Sequence, residues 1–345
     1  MTRPAPAGGT GPGPADEIVL QGRAMATAVT VRVPVPGTAP PERRHELEAA
    51  ARSALAVFGD VEAACTRFDP DSPLIRANRS PGRWHRVPPV LLEAIAEAKR
   101  AHDATGGRVD PRVLRQLVAL GYDRTLPFGR ADVDLVPAPR SRGSGGAGHP
   151  SGAWRPRLRH GTGEVLIGSD PIDLGGIGKG LAVRLAAARL ARAGSDHLVD
   201  AGGDCVCAGE APGGGPWLVG VEDPTVPGTD DAGEPAGPLA VLALSDRAVA
   251  TSSIRLRRWR SAGAPVHHLI DPRTGRPGGA GLLAVTVAGD DPAVAEAWSK
   301  ALFLAGRRGI ADLARRRQLA ALWVDDHRQV ALTAGMQRYV RWQRA

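Results

Sequence analysis

Apolar residues recur along this chain with two different periods, and the order in which those periods follow one another limits the folds open to it. Val29, Val31 and Val33 alternate with polar neighbours inside 17–35, which predicts one or two strands ended by Pro34, Pro36 and Gly37. Residues 42–64 instead space Leu47, Ala50, Ala51, Leu55, Val57, Phe58 and Val61 as one face of a helix. Further helices are predicted over 90–105, ended by Gly106 and Gly107, and over 113–120, where Asp110 is a natural N-cap and Pro111 a natural first residue. Others follow over 181–193, closed by Gly194, and over 292–305 and 309–317. Strands are predicted over 158–168, 197–206, 217–221, 239–244, 282–287 and 319–324, with a short one near Val330. Strands and helices thus succeed one another irregularly, which argues an α+β fold of mixed sheets with packed helices and against a regular βαβ array.

Residues 17–345 are expected to form a single domain behind a disordered tail over 1–16. A stretch rich in Ser, Gly, Arg and Pro over 137–156 is expected to be a low-complexity surface insertion. Residues 1–17 hold one Arg and no apolar run, so neither a signal peptide nor a membrane anchor is expected there and the expected location is the cytoplasm. Cys65, Cys205 and Cys207 are too few and too unevenly spaced for a disulfide framework or a zinc site. The net charge of +8 is spread along the chain as scattered arginines, which disfavours nucleic acid and suits the steering of small anions. Among 44 basic residues only Lys99, Lys179 and Lys300 are lysine.

Four segments carry chemistry. Asp173-Leu174-Gly175-Gly176-Ile177-Gly178-Lys179-Gly180 runs directly into a helix, so its glycines admit close backbone approach and its helix N-terminus with Lys179 favours phosphate. No Ser or Thr follows the Lys, so the P-loop pattern is not met. His267-His268-Leu269-Ile270-Asp271-Pro272-Arg273-Thr274-Gly275 offers a general base, a metal ligand or simply a β-turn. Ala201-Gly202-Gly203-Asp204 and Thr251-Ser252-Ser253 place small groups at strand ends, where ligands commonly sit.

Taken in order with Arg23 to Thr27, Arg67 to Ser72, Arg76, Asn78, Thr105 to Pro111 and Val219 to Pro224, these segments resemble the landmarks of the ApbE family of FAD:protein FMN transferases, over about Gly22 to Gly306. The resemblance implies a bound FAD, a Mg²⁺ bridging its phosphate oxygens, and transfer of FMN to a Thr or Ser hydroxyl of an acceptor flavoprotein with release of AMP. Carried over residue by residue, it assigns Met25, Phe68, Arg108, Val109, Asp110, Asp173, Lys179 and Ile270 to the FAD site. It further assigns the Gly176 carbonyl to the metal and His268 to the place of a candidate base near the acceptor.

One departure stands out. Where the family shows an Asp and a Thr four residues apart on the helix after the IDPRTG turn, this chain has Glu296 and Lys300. Glu can still ligate Mg²⁺, but an ammonium cannot ligate anything. Lys300 is therefore expected either to replace part of the metal's charge beside the pyrophosphate or to form an ordinary helical pair with Glu296. Two alternatives remain at this level: an FAD-binding or FAD-hydrolysing relative that does not transfer FMN, and a non-enzymatic protein that binds polyanions.

Overall fold

The chain is described here by a computed structural model covering residues 16–126, 134–135, 152–226 and 237–344. The expected tail over 1–16 falls, but for Asp16, outside the described residues, as do residues 137–151 of the expected insertion. The end of that insertion is core: Trp154 is buried, and its indole N–H donates to the Ile167 carbonyl at 2.8 Å.

Eight strands build the main sheet: β1 (Glu17–Ala24), β2 (Thr27–Pro34), β3 (His197–Ala201), β4 (Cys205–Ala208), β5 (Arg247–Ser253), β6 (Leu282–Gly289), β7 (Ala320–Asp325) and β8 (Val330–Leu332). They lie side by side in chain order, and every neighbouring pair is antiparallel. Their period of two sorts side chains between two cores. On one face Val29, Val31, Val33 and Val199 pack under the helices α1 (Pro41–Cys65), α2 (Pro89–Ala104) and α3 (Gly178–Arg192). Farther along the same face, Ala250, Val285, Val287 and Ala321 meet α4 (Pro292–Leu304) and α5 (Gly306–Arg316). On the opposite face Leu198, Cys205, Cys207, Leu322 and Val324 pack against Trp217, Leu242 and Leu244 of a three-stranded sheet formed by Trp217–Val221, Ala240–Leu244 and Val340–Gln343. Coverage on both faces explains why β6 is an almost unbroken apolar run. No described helix is long and apolar enough to cross a membrane.

The strand expected over 197–206 is two strands joined by a tight turn. Gly202 and Gly203 adopt φ of 62° and 90°, a region that costs a side-chain-bearing residue dearly, and a Cβ at Gly202 would run into Thr27 Oγ1. Apolar residues on both sides of the glycine pair hid the reversal. The first turn of α3 likewise begins in the glycine segment, three residues before the predicted start at Leu181. All three cysteines are buried and unpaired.

What positions the site is the crossing of α3 over α4. A Cβ built on Gly180 would sit 2.6 Å from the Pro292 carbonyl oxygen, so the two backbones touch. Gly180→Ala is expected to destabilise the protein by about 1–3 kcal/mol, the usual cost of forcing a methyl into a closed contact. The denaturant midpoint measures it, and an unchanged midpoint would contradict the crossing.

Candidate active site

The glycine-rich segment is held open from behind. Asp173 accepts the Gly175 N–H at 2.9 Å through Oδ1 and the Arg67 Nε at 2.6 Å through Oδ2, while its own N–H donates to the Pro111 carbonyl at 2.7 Å. α3 starts immediately afterwards; its Gly178 N–H donates to the Leu174 carbonyl at 3.0 Å, and its Gly180 N–H donates to Glu296 Oε2 at 2.8 Å on the side away from the cavity. Gly176, Gly178 and Lys179 line the cavity in front of this helix start, so the positive end of the helix dipole and the Lys179 ammonium favour an anion there.

That cavity, about 350 Å³, runs from the glycine segment past the end of α1, residues 108–113, Arg257, the 268–270 stretch and α4. Met25, Phe68, Arg108, Val109, Asp110, Asp173, Gly176, Lys179, His268, Ile270 and Lys300 all line it. Glu296 does not. It lies behind the wall, fully buried, with Oε2 accepting the Gly180 N–H at 2.8 Å and Oε1 accepting the Lys300 ammonium at 2.9 Å. Burial pushes the Glu296 carboxyl up from its ordinary value, and Lys300 works against that rise. Lys300 is thus part of the pocket, and its side chain lies across Gly176 with Cε 3.6 Å from where a Cβ would stand.

Lys179 has the same arrangement. Its ammonium is 2.5 Å from Asp204 Oδ2, and Asp204 Oδ1 accepts the Thr251 N–H at 3.2 Å. In both pairs the carboxylate is sealed and the ammonium reaches the cavity: side-chain exposure is 15% for Lys179 against 0% for Asp204, and 13% for Lys300 against 1% for Glu296. Asp110 is already engaged, since its carboxylate holds Arg112 through Nη2 at 2.7 Å and Nε at 3.0 Å. Only its backbone and its flank remain for a ligand.

Arg67, Tyr122 and Arg257 also line the cavity and carried no assignment in the sequence reading. The Arg67 guanidinium lies 4.3 Å from the ring centroids of both Phe68 and Tyr122, and Nη1 donates to the Tyr122 carbonyl at 2.6 Å. Its Nη2 is buried without a partner among the described residues, an unspent donor at the pocket wall. Arg67 adjoins Phe68, so the motif could have flagged it. Tyr122 and Arg257 gave no such signal, the latter being one of four arginines within the six residues from Arg255 to Arg260.

His268 follows the strand Ala264–His267, and its Nδ1 lies 3.3 Å from the Arg257 carbonyl. A carbonyl can only accept, so Nδ1 carries the proton and Nε2 keeps its lone pair. Burial, with the nearby Arg257, His267 and Lys300 charges or rings adding to it, drives the His268 pKa well below 6.5. Burial also lowers His267 to about 4. Asp271 forms the expected turn, accepting Arg273 through N at 3.0 Å and Nη2 at 2.8 Å, with Gly275 at φ 67°.

The residues present do not fit a divalent cation. Both oxygens of Glu296 are committed, the neighbour that would complete the site is an ammonium, and Gly176 lies beneath its stem. No cluster of three or more His, Cys, Asp or Glu able to hold a metal occurs among the described residues.

Fold and pocket together present a partly cationic cleft at a helix N-terminus, the class of site that suits an anionic ligand. The ApbE family model matches residues 25–323, and the chain belongs to that family. It is 26% identical over 308 residues to an FAD:protein FMN transferase of Haemophilus influenzae, covering 88% of this chain and 85% of that one. A Chlamydia trachomatis protein of the same name is 27% identical, with 78% and 80% covered. The ApbE protein of Thermotoga maritima shares the fold at a TM-score of 0.76 and 24% identity, covering 95% of this chain and all of that one. The flavin transferase ApbE of Vibrio cholerae does so at 0.73 and 22%, covering 94% and 100%.

The two histidines set a pH dependence. Unfolding returns both to ordinary values near 6.5, so below that pH the unfolded chain binds protons that the folded chain refuses. Above pH 6.5 the pair has no effect, and as pH falls towards 4 stability is lost. The drop in denaturant midpoint between pH 7 and pH 5 is expected to be smaller in His267→Gln than in the wild type; equal drops would contradict the burial of His267.

Proposed function

We propose that this chain is an FAD:protein FMN transferase, moving FMN from FAD onto a Thr or Ser hydroxyl of an acceptor flavoprotein and releasing AMP. The observation that carries the reading is the N-terminus of α3, opened by glycines and flanked by the Lys179 and Lys300 ammoniums, in one cavity with the free Nε2 of His268. The names borne by similar proteins of the family point the same way.

In this reading the acceptor oxygen attacks the FMN-side phosphorus, a new P–O bond forms, and the bond to the bridging oxygen breaks. AMP leaves with that oxygen and its electron pair. The hydroxyl proton passes to Nε2 of His268, which burial keeps neutral and so able to accept it. Lys179, Lys300 and the helix N-terminus neutralise the diphosphate and hold it in line for attack. Phe68 and Tyr122 supply ring faces, and the Arg67 Nη2 supplies a donor for a heteroatom of the dinucleotide.

Because the site does not fit Mg²⁺, Lys300 stands in for the ion's charge and no step passes through a metal. FAD affinity in EDTA is then expected to equal that in Mg²⁺ for the wild type, and Lys300→Thr to bind FAD more weakly in EDTA and gain on addition of Mg²⁺. A wild type that binds no FAD in EDTA, with the Thr variant behaving identically, overturns this part.

The function itself is tested by incubating the protein with FAD, with and without a candidate acceptor, and following AMP and covalent flavin together. AMP without covalent flavin in the presence of competent acceptors would favour an FAD hydrolase, and neither product would sink both enzymatic readings. Lys179→Ala is expected to weaken FAD binding by about 1.5–3 kcal/mol, the cost of a charge-assisted contact, whereas His268→Ala lowers turnover with little change in FAD affinity. The opposite pattern would reverse the two roles.

A further inference from the structure

Beside the FAD pocket lies a second cleft, of about 470 Å³, lined by Thr105 and Gly106 after α2, Arg108, Arg273 of the IDPRTG turn, Trp298 of α4, and Leu313, Arg316 and Arg317 at the end of α5. Four of its lining residues are arginines and none is acidic. Arg273 and Arg316 are balanced from outside the cleft by Asp271 and Asp312. Arg108 and Arg317 have no carboxylate partner among the described residues; Arg317 instead lies over the Trp298 ring at 5.5 Å. The excess of positive charge is felt within the cluster: burial and then the like charges of Arg273 and Arg316 lower the Arg108 pKa, with Asp271 opposing. Arg108 also lines the FAD pocket, so the two cavities share a wall.

We propose that this arginine cleft is the docking site for an acidic segment of the acceptor protein, holding carboxylates to one side while the acceptor hydroxyl enters the neighbouring pocket. The proposal rests on the transferase reading only for the identity of the partner. A protein segment is favoured over a compact phosphate because the cations come from three separate parts of the chain and two of them stand open to solvent, Arg273 at 58% and Arg316 at 59% exposure. Guanidiniums spread in this way suit several separated carboxylates, each held by a forked pair of N–H donors. Nothing among the lining residues resembles the glycine cradle at α3 that would wrap a single phosphate. Such an interface acts mainly on encounter and register and weakens with salt.

The test uses fluorescein-labelled hexaglutamate as the probe and the full chain saturated with FAD. Anisotropy is expected to show salt-sensitive binding to the wild type, about tenfold or more weaker in Arg316→Glu/Arg317→Glu, with FAD affinity unchanged in the same variant. Arg316→Ala/Arg317→Ala should weaken the peptide to a smaller degree, which keeps the test sound should the charge reversal impair folding. Absence of peptide binding to the wild type, or equal binding to wild type and both variants, overturns the proposal. So does displacement of the peptide by inorganic pyrophosphate at concentrations where hexaglutamate itself cannot compete, which would mark a compact-anion site. FAD binding is read separately in every arm, so failure of the flavin site and failure of the cleft give different results.

Discussion

One buried carboxylate ties the pocket wall together. Glu296 sits on α4 and receives both the first-turn N–H of Gly180 on α3 and the ammonium of Lys300, one turn farther along its own helix. A charge in that position is costly unless every lone pair is answered, and here two strong donors answer it. The same contact fixes where α3 begins, because Gly180 can approach the Pro292 carbonyl only without a side chain. The glycine segment, the orientation of the helix dipole and the reach of Lys300 into the cavity therefore all depend on how α3 and α4 meet.

The two lysines of the wall share a logic that a list of charges would miss. Each is neutralised by a carboxylate sealed behind it, so the empty wall carries little net charge, yet it is polarised with its positive side to the cavity. Such a layer does not need to strip water from a free ammonium when the ligand arrives, and it holds each cation in place beforehand. The pair of Lys300 with Glu296 is real, but it is an inward pair at a cavity, not a solvated one on an outer helix face.

Much of this was legible in the sequence. Helices with a strong apolar stripe, such as 42–64 and 292–305, were placed to within a residue or two because local period alone defines them. Elements whose limits are set by glycine were not, since the turn at Gly202 and Gly203 and the start of α3 at Gly178 depend on backbone approach that no period records. The short strands Arg258–Ser261 and Ala264–His267 are rich in Arg, Pro and His and carry no apolar alternation to betray them. For the site, every residue assigned from motif order except Glu296 lines one pocket. Glu296 escaped because its place behind the wall, and the commitment of both its oxygens, follow from a helix crossing between segments more than a hundred residues apart. The arginine cleft escaped for the same reason, its charges being assembled from distant parts of a chain in which arginine is everywhere.

The burial of all three cysteines leaves the molecule with no thiol at its surface. Cys205 is held protonated by its neighbour Cys207 and by burial, and burial pushes Cys65, beside the FAD pocket, up to about 12. Thiolate is the reactive form of cysteine, so thiol-directed reagents meet no exposed thiolate on the native protein. A single cysteine introduced on an outer helix would accordingly be the one thiol open to a dye or a cross-linker, which makes this scaffold ready for site-specific attachment without first removing any residue of its own.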